Sequence, residues 1–502
     1  MVGGGRSDNR SHEPVDWLTP APLPSGFFTG DTGRSTPPRA DARLLFWVPP
    51  CAVRHLPGLA CCSRLTRTTV LASDPLPPSS PHSSAAHEAG LIDSPLIRSA
   101  GRDALSLALM DARNHTLHLF GQYQQALEAV NFVVPELTVL NPPLWELGHV
   151  GWFQEWWIGR NMQRARGARC EPAHARLASI EPGADRWWDS GNVPHHQRWT
   201  LDLPPVAACR AYLLDTLEST LELLEKTGED DDALYFFRLC LFHEDMHAEA
   251  LSYTAQTLGL TLDKALLQAF TPPTMALREP LLVPATVWML GSAAAPGFVF
   301  DNELAQHEVN VPEFEIDAQP VSWAQFVEFV DDGGYDQPEF WQSEGWDWLQ
   351  ATASSEGRRG PRYVEQIGVA SGAVMQTRFG KPMRMLGNQP AMHMSWWEAD
   401  AWCRWAGRRL PAEVEWEVAA HTAARRGFRW GDVWEWTGST FRPYPGFEPH
   451  PYADYSQPWF GTHKVLRGGS FATRARMKSP KYRNFYRPER DDIFCGFRSC
   501  AL

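Results

Sequence analysis

The stretch DDDALYFFRLCLFHEDMHAEALSYTAQTLGL, residues 230–260, repeats apolar residues at intervals of three and four and contains no proline. That spacing predicts one long amphipathic helix. Within it, His243 and His247 are four residues apart, so their side chains project from the same face. The other members of this stripe are apolar or small: Phe236, Cys240 and Ala250. Uncoordinated imidazoles would be poorly satisfied there, which favours a metal site over a solvated histidine pair.

Three further helical patterns precede this stretch. They are RDALSLALMDARNHTLHLFGQYQQALEAV (102–130), LWELGHVGWFQEWW (144–157) and VAACRAYLLDTLESTLELLEKTG (206–228). The second follows a proline pair that marks a break, and the third ends on a glycine. Amphipathic helices of this kind bury their apolar faces against one another. Residues 101–265 are therefore predicted to form an up-and-down bundle of about four helices.

The character of the sequence changes after TPPTM, residues 271–275. Downstream, short apolar runs alternate with many glycines, prolines and tryptophans, and only SWAQFVEFVDDGG (322–334) and SWWEADAWCRWAGR (395–408) have a convincing helical period. Residues 280–502 are therefore predicted to be a loop-rich α+β domain. Residues 1–100 are rich in Gly, Ser, Pro and Arg without a sustained period, and we expect them to be a mostly disordered extension.

Composition excludes several classes of protein. The formal net charge of −13 argues against a nucleic-acid or anionic-membrane partner. No apolar run reaches the length of a membrane span, and the N-terminus does not have the pattern of a secretory signal, so we expect a cytoplasmic protein. The nine cysteines are scattered and odd in number, which is not typical of a disulfide framework.

Two histidines need further ligands to hold a metal ion, and another predicted helix offers a donor. His149 lies in LWELGHVGWFQEWW among tryptophans and a phenylalanine. His115 and His118 are competing third donors that spacing alone does not exclude. Three neutral imidazoles with open coordination positions suit zinc, iron(II) or copper. HEDMH also satisfies the HExxH pattern of zinc proteases with Glu244 as base, but no obvious third ligand lies downstream.

The second half of the chain resembles a known fold. The segments that carry the resemblance are VWMLGS (287–292), MHMSWWEADAWCRWAGRRLPAEVEWEVAA (392–420), GDVWEWTGS (431–439) and VLRGGSF (465–471). In this order they resemble the formylglycine-generating-enzyme fold, a C-type-lectin-like scaffold. The upstream bundle with HEDMHAE resembles the DinB-like helical domain. The expected architecture is therefore multidomain, α followed by α+β.

The two domains together resemble the ergothioneine-type sulfoxide synthases. These are non-haem iron enzymes that use O2 to join a thiol to C2 of hercynine, Nα-trimethylhistidine. The resemblance implies Fe(II) held by His149, His243 and His247. The C-terminal motif YRNFYRPERDDIFCGFR (482–498) then implies substrate contacts from Asn484, Phe485, Tyr486 and Arg490. The family also uses a tyrosine of the second domain, for which Tyr452 and Tyr455 are the candidates.

Departures from the family pattern bear on the substrates. Met246 stands where many members have a glutamine that contacts the imidazole, and Tyr486 stands where the γ-glutamylcysteine-using type has an aspartate. Paired arginines for that donor's carboxylates have no clear match. The C-terminal segment is more similar to the selenoneine synthase branch, which implies a selenosugar donor. The quaternary ammonium of hercynine calls for aromatic walls, and the candidates are Trp145, Trp152, Trp434, Trp436 and Phe485.

Other functions remain open from the sequence. A sulfoxide synthase could use cysteine or γ-glutamylcysteine, and a DinB-like thiol transferase would use a divalent metal without oxidation. A formylglycine-generating oxidase would need a copper-binding cysteine pair just after RGGS, where this chain has no cysteine. A non-enzymatic interpretation treats the C-terminal half as a ligand-binding module and the bundle as a scaffold.

Overall fold

A computed structural model describes residues 90–294, 296–368 and 373–502. The helices are α1 (Arg102–Leu127), α2 (Pro143–Gln154), α3 (Ala184–Trp188), α4 (Val206–Glu225), α5 (Asp231–Thr257), α6 (Lys264–Ala269), α7 (Trp323–Asp331), α8 (Ser343–Glu356), α9 (Trp396–Trp405) and α10 (Glu413–Thr422). The strands before α9 are β1 (Leu281–Val283), β2 (Thr286–Leu290), β3 (His307–Val311), β4 (Phe314–Ile316), β5 (Val364–Gly368), β6 (Ala373–Arg378) and β7 (Lys381–Met385). Those after it are β8 (Arg408–Arg409), β9 (Trp434–Thr440), β10 (Lys464–Arg467), β11 (Asn484–Tyr486), β12 (Cys495–Phe497) and β13 (Cys500–Ala501).

The helix that the first motif predicts is α5. It begins after Asp230, whose side chain accepts a hydrogen bond from the backbone N–H of Ala233 at 3.0 Å and so caps the first turn. It ends just before Gly259, which adopts a left-handed φ of 65°. The four long helices α1, α2, α4 and α5 pack together, and each contacts the other three. They lie where the four apolar periodicities predict helices.

Short strands form the framework of the C-terminal part. One sheet has the order β1-β4-β13-β8 and another the order β11-β10-β9-β12. Strands β2 and β3 form a pair, and β5, β6 and β7 form a three-stranded sheet. All pairings are antiparallel except that of β12 with β9. Since β9 and β11 lie in one sheet, the segments around residues 434 and 484 are brought close together.

The two helices predicted in the C-terminal part are α7 and α9. Each begins with a capping box, in which Ser322 pairs with Gln325 and Ser395 pairs with Glu398. The expectation of only two helices is wrong, because α8 and α10 are also present. In α10, EVEWEV alternates charged and apolar residues, which is the period of a strand. Its glutamates are nevertheless buried or paired with arginines, so the helix is stable with little exposed face.

The predicted N-terminal extension lies mainly outside the described residues, which begin at 90. Residues 90–100 of this extension are described, and they contact the rest of the protein. Ile97 is fully buried, and the Arg98 guanidinium forms an ion pair with the buried Glu303 at 2.7 Å. The Ile92 and Ala100 carbonyls also accept hydrogen bonds from the Arg476 and Arg238 guanidinium groups, so tertiary contacts hold a segment that has no periodic pattern. Within the described part of the chain, no helix has both the length and the apolar character needed to cross a membrane.

Candidate active site

His149, His243 and His247 lie together between α2 and α5. One ring nitrogen of each falls within 4.8 Å of the corresponding nitrogens of the other two. The Nε2 atoms of His243 and His247 are 3.1 Å apart, as expected for residues one helical turn apart. The ring of Phe153 stacks on His243 with centroids 3.5 Å apart, which fixes the plane of that imidazole. The cluster has the composition and spacing of a three-histidine metal site.

Hydrogen bonds set the tautomers of two of these rings. Nδ1–H of His149 donates to the backbone carbonyl of Trp188 at 2.9 Å. Nδ1–H of His247 donates to the Glu146 carboxylate at 2.5 Å. In the neutral form of each ring, this bond places the proton on Nδ1 and leaves Nε2 available to a metal, as metal-binding histidines require. The donor set therefore fits a metal ion that accepts neutral imidazoles.

Burial keeps two of the rings in the neutral form. Together with the neighbouring His247, which acts in the same direction, it lowers the pKa of His149 to about 3. It also holds the pKa of His243 well below its ordinary value, with His247 and His149 acting in the same direction. A neutral imidazole is the form that coordinates a metal.

The alternative third donors lie elsewhere. His118 is half exposed and its Nε2 lies 3.1 Å from the Asp263 carboxylate. His115 is not a member of the cluster, and burial lowers its pKa to about 4. Both residues belong to α1, whereas the three clustered histidines belong to α2 and α5. Geometry therefore selects His149 among the three candidates.

The zinc-protease interpretation of HEDMH is wrong. Glu244 would have to face the metal as a general base. Instead its carboxylate is buried and binds the Arg113 guanidinium of α1, with an Nε–Oε1 distance of 2.8 Å. It does not line the cavity beside the histidines. A carboxylate neutralised in this way is unable to activate water at the cluster.

A cavity of about 1040 Å³ opens beside the histidines. Residues from α2 and α5 form one wall, and residues from segments 451–463 and 482–490 form the other. His243 and His247 are among its lining residues, whereas His149 lies behind them against Trp145. The site therefore requires both the helical part and the C-terminal part of the chain.

The two candidate tyrosines differ in their surroundings, although both line the cavity. Tyr452 lies edge-on to Phe153 and to His243, with centroids 4.9 and 6.2 Å away. Tyr455 lies further from the cluster, and its hydroxyl is 3.0 Å from that of Tyr482. Burial raises the pKa of both phenols, so both are protonated at neutral pH. Tyr452 is the better placed to serve the metal site.

Five predicted substrate contacts line the cavity: Met246, Asn484, Phe485, Tyr486 and Arg490. The sulfur of Met246 accepts a hydrogen bond from the Tyr482 hydroxyl at 3.5 Å. The Arg490 guanidinium is held by Asp492 through two hydrogen bonds and stacks near the Tyr486 ring. Its charge is therefore already neutralised within the protein.

The prediction that Trp436 contacts the substrate is wrong, because Trp436 does not line the cavity. It is fully buried, and its indole N–H donates to the Met394 carbonyl at 2.9 Å. Trp434 lies two residues earlier on the same face of β9 and borders a small cavity of about 60 Å³ next to the main one. A step of two residues along a strand is about 7 Å, enough to move a side chain from the cavity into the core.

Trp152 lines the main cavity as predicted for an aromatic wall, whereas Trp145 stacks on His149 and is fully buried. Sequence reasoning missed several other lining residues: Glu146, Asp189, Asn192, Tyr253, Trp459 and Tyr482. Among these, Glu146 could have been predicted from the sequence, because it lies three residues before His149 and so shares a helical face with it.

The charge of the cavity is predominantly negative. Arg490 is the only lysine or arginine among its lining residues within the described parts of the chain. Carboxylates line it at Glu146, Asp189 and Asp454. Asp189 accepts hydrogen bonds from the Gly191 N–H and the Asn192 amide at 2.9 and 2.7 Å. A ligand with several carboxylates would meet little compensating charge here.

Cys495 and Cys500 are the cysteines nearest to the RGGS motif on its C-terminal side. Cys495 and Cys500 are buried, and neither lines the cavity. Cys495 donates to the Met394 carbonyl at 3.0 Å.

Comparisons with known proteins identify the fold of the C-terminal part. Residues 271–432 and 429–501 match the sulfatase-modifying factor enzyme 1-like domain. The formylglycine-generating enzyme of Streptomyces coelicolor is 27% identical over 258 residues, which cover 39% of this chain and 79% of that enzyme. These matches confirm the predicted resemblance of the C-terminal part to that fold.

Two relatives match over a much longer span. The hercynine oxygenase of Mycolicibacterium smegmatis is 32% identical over 455 residues, which cover 79% of this chain and 98% of that relative. The hercynine oxygenase of Mycobacterium tuberculosis is 32% identical over 438 residues, which cover 76% of this chain and 97% of that relative. Both matches extend well beyond the C-terminal domain and cover nearly the whole of each relative.

Proposed function

The chain belongs to the hercynine oxygenase family, and on that premise we propose that it uses Fe(II) and O2 to form a carbon–selenium or carbon–sulfur bond at C2 of hercynine. As a member of this family it is an enzyme, which removes the interpretation as a purely binding module. The observation that carries the proposal is the three-histidine cluster at the wall of a cavity built by both parts of the chain. In this proposal residues 101–265 are the DinB-like domain and residues 280–502 the substrate domain.

Iron(II) held by His149, His243 and His247 would supply open coordination positions and the redox activation of dioxygen. The overall reaction balances without another reductant. Hercynine loses the hydrogen at C2 and the donor loses its S–H or Se–H hydrogen as the new bond forms. One oxygen atom of O2 enters the product as sulfoxide or selenoxide and the other leaves as water. The four electrons that reduce O2 come from the two substrates.

The protein's own groups would orient hercynine. Asn484 can donate through its side-chain amide to the hercynine carboxylate, since its Oδ1 already accepts from the Phe485 N–H at 2.9 Å. The trimethylammonium group forms no hydrogen bonds and is best held by aromatic faces, which Phe485, Tyr486 and Trp152 present in the cavity. Holding both substrates against one centre removes much of the entropic barrier to their reaction.

Tyr452 is the proposed catalytic tyrosine. Its ring approaches His243 and its raised pKa keeps the phenol protonated. A protonated phenol at the cavity wall can donate a proton to the oxygen that leaves as water. Tyr455 is proposed to support it from behind, because its hydroxyl bonds to Tyr482 rather than facing the histidines.

The proposed donor is a selenosugar, because the C-terminal segment resembles the selenoneine synthase branch. Arg490 is neutralised by Asp492, and the cavity is lined by Asp189 and Asp454. Such a wall disfavours a donor with two carboxylates, as in γ-glutamylcysteine. Carboxylate and amide oxygens accept hydrogen bonds from sugar hydroxyls, and the half-buried Trp459 offers an aromatic face beside them.

The test is anaerobic reconstitution with Fe(II), followed by O2, hercynine and one donor at a time, with mass spectrometry of the products. The donors are a selenosugar, the corresponding thiosugar, cysteine and γ-glutamylcysteine. We expect coupling to the sugars and little coupling to the two amino-acid thiols. Coupling to cysteine or γ-glutamylcysteine alone would reject the sugar donor. Absence of coupling with every donor would reject the reaction.

A further inference from the structure

Of the three proposed ligand histidines, His247 is the one whose ring is hydrogen-bonded to a carboxylate, that of Glu146. Glu146 is buried, and its Oε1 accepts the Nδ1–H of His247 at 2.5 Å. Its Oε2 accepts from the Asn141 amide at 2.6 Å. The Asn141 carbonyl oxygen in turn accepts from the Arg198 guanidinium at 2.7 Å. A hydrogen-bonded chain therefore runs from a buried guanidinium to the ring of one ligand.

Prolines fix the backbone at Asn141, an inner member of this series of hydrogen bonds. Asn141 is followed by Pro142 and Pro143, and Pro143 is the first residue of α2. Proline there fixes the entry into the helix. Glu146 and His149 lie three residues apart on α2 and so share a face. One helix thus supplies a ligand and also the carboxylate that orients a ligand of α5.

The partners of the two oriented histidines differ in charge. His149 donates to a neutral backbone carbonyl, whereas His247 donates to a carboxylate. A carboxylate partner makes the imidazole more basic and fixes its ring orientation. A negative charge one imidazole away from a metal also stabilises the more oxidised ion relative to the reduced one.

We propose that Glu146 is a positioning residue of the metal centre. It holds His247 in the Nε2-coordinating tautomer and lowers the reduction potential of the bound iron. The inference rests on the proposed metal site but not on the identity of either substrate. Asn141 supports Glu146 by occupying its second oxygen.

The test compares E146Q with wild type and with E155Q. Glutamine keeps the size of the side chain and a carbonyl acceptor but removes the charge. Glu155 is a matched control because it is buried beside the end of α2 and accepts hydrogen bonds from Ser179, Ile180 and Tyr212, without contacting the ligand histidines. Thermal melting establishes that each variant is folded.

Two measurements are made without hercynine or donor. The first is Fe(II) affinity, by anaerobic competition with a chromophoric chelator, and the second is the Fe(III)/Fe(II) reduction potential. We expect E146Q to bind Fe(II) about 10- to 100-fold more weakly, in the range typical of lost outer-sphere partners. Its potential should be more positive than that of wild type. E146D, which keeps the charge, should have a potential nearer the wild-type value.

Unchanged affinity and potential in E146Q would overturn the role of Glu146. An equal loss in E155Q would also overturn it, because the effect would then arise from general damage to α2. Failure of the wild-type protein to bind iron would overturn the metal centre itself and Glu146 with it. Failure of the coupling reaction, with iron binding and the E146Q effect intact, would reject only the proposed function.

Discussion

Tyr452 and Tyr455 are three residues apart and line one cavity, yet of these two only Tyr452 has ring contact with one of the three clustered histidines, His243. Removing its hydroxyl in Y452F should lower the rate of product formation by about 100-fold or more, the range expected for loss of a proton donor. Y455F is the matched control and should lose only several-fold. Product formation and O2 consumption are measured together by mass spectrometry and an oxygen electrode. Equal losses in the two variants would contradict the assignment of Tyr452.

Asp301 is a second residue whose environment makes a testable difference. It is buried, accepts a hydrogen bond from Ser456 at 2.5 Å, and burial raises its pKa to about 6 from the ordinary value of 3.8. Between these values the folded protein retains a proton that the unfolded chain has released. The contribution of Asp301 to stability therefore falls as the pH rises from about 4 to about 6 and is constant above that.

The variant D301N should remove this dependence. Its free energy of unfolding relative to wild type should increase across the same interval and then level off. A pKa difference of about 2 corresponds to a change of about 3 kcal/mol. Chemical denaturation of both proteins at several pH values measures it. A difference between the two proteins that does not vary with pH would contradict a raised pKa for Asp301.

The sequence identifies the residues whose signal is local and misses those whose signal is not. Helical spacing predicts His243 and His247 as a pair on one face, and the position of His149 on another predicted helix makes it a candidate third donor. The contact of Glu146 with His247 joins residues 101 apart in sequence, so no spacing rule reveals it. Trp434 and Trp436 share one face of β9, and only the distance along the strand separates cavity from core.

The helix α5 carries two of the proposed ligands, so its stability bears on the metal site. Its N-cap is Asp230, which accepts from the Ala233 N–H. D230A should lower the free energy of unfolding by about 1 kcal/mol through loss of this cap. D230N is the matched control, since asparagine caps helices about as well as aspartate, and should be close to wild type. Denaturant titrations measure both, and an equal loss in the two variants would point to the charge instead of the cap.

The sequence predicts all four long helices of the N-terminal part, although their burial differs. Helices α1 and α4 each bury one stripe, whereas α2 and the first half of α5 are buried on nearly all sides. In α10 the buried glutamates are paired with arginines from distant segments, such as Arg467 and Arg483. The sequence there alternates charged and apolar residues, which is the pattern that predicts a strand. Tertiary ion pairs of this kind are invisible to a periodicity argument.

At the scale of the whole molecule, the two parts of the chain are joined by a buried ionic network as well as by apolar packing. Arg476 of the C-terminal part binds Asp245 of α5 through two hydrogen bonds of 2.6 and 2.7 Å. It also binds Asp111 of α1 and the carbonyl of Ile92. Both Arg476 and Asp245 have almost no exposed side-chain surface. The network lies on α5, the helix that also carries His243 and His247, and it links this helix to the C-terminal part of the chain.

Removing only one member of the Arg476–Asp245 pair should lower the free energy of unfolding. R476A leaves the Asp245 carboxylate buried without its partner, and loss of one member of a buried pair typically costs about 3–5 kcal/mol. The double variant D245L/R476M removes both charges and should recover much of that loss. R404A is the surface control, because the half-exposed Arg404 pairs with Asp400 within one helix and should lose less than about 1 kcal/mol.

Calorimetry and denaturant titration of the four proteins decide between two roles for the network. If the network holds the two parts together, R476A should melt at a lower temperature and lose iron affinity in parallel, because His243 and His247 lie on the helix that Arg476 anchors. If it contributes only bulk stability, iron affinity measured well below the melting temperature should stay at the wild-type value. A loss in R476A no larger than that in R404A would show that the pair contributes little. Since the cavity has walls from both parts of the chain, we expect the first result.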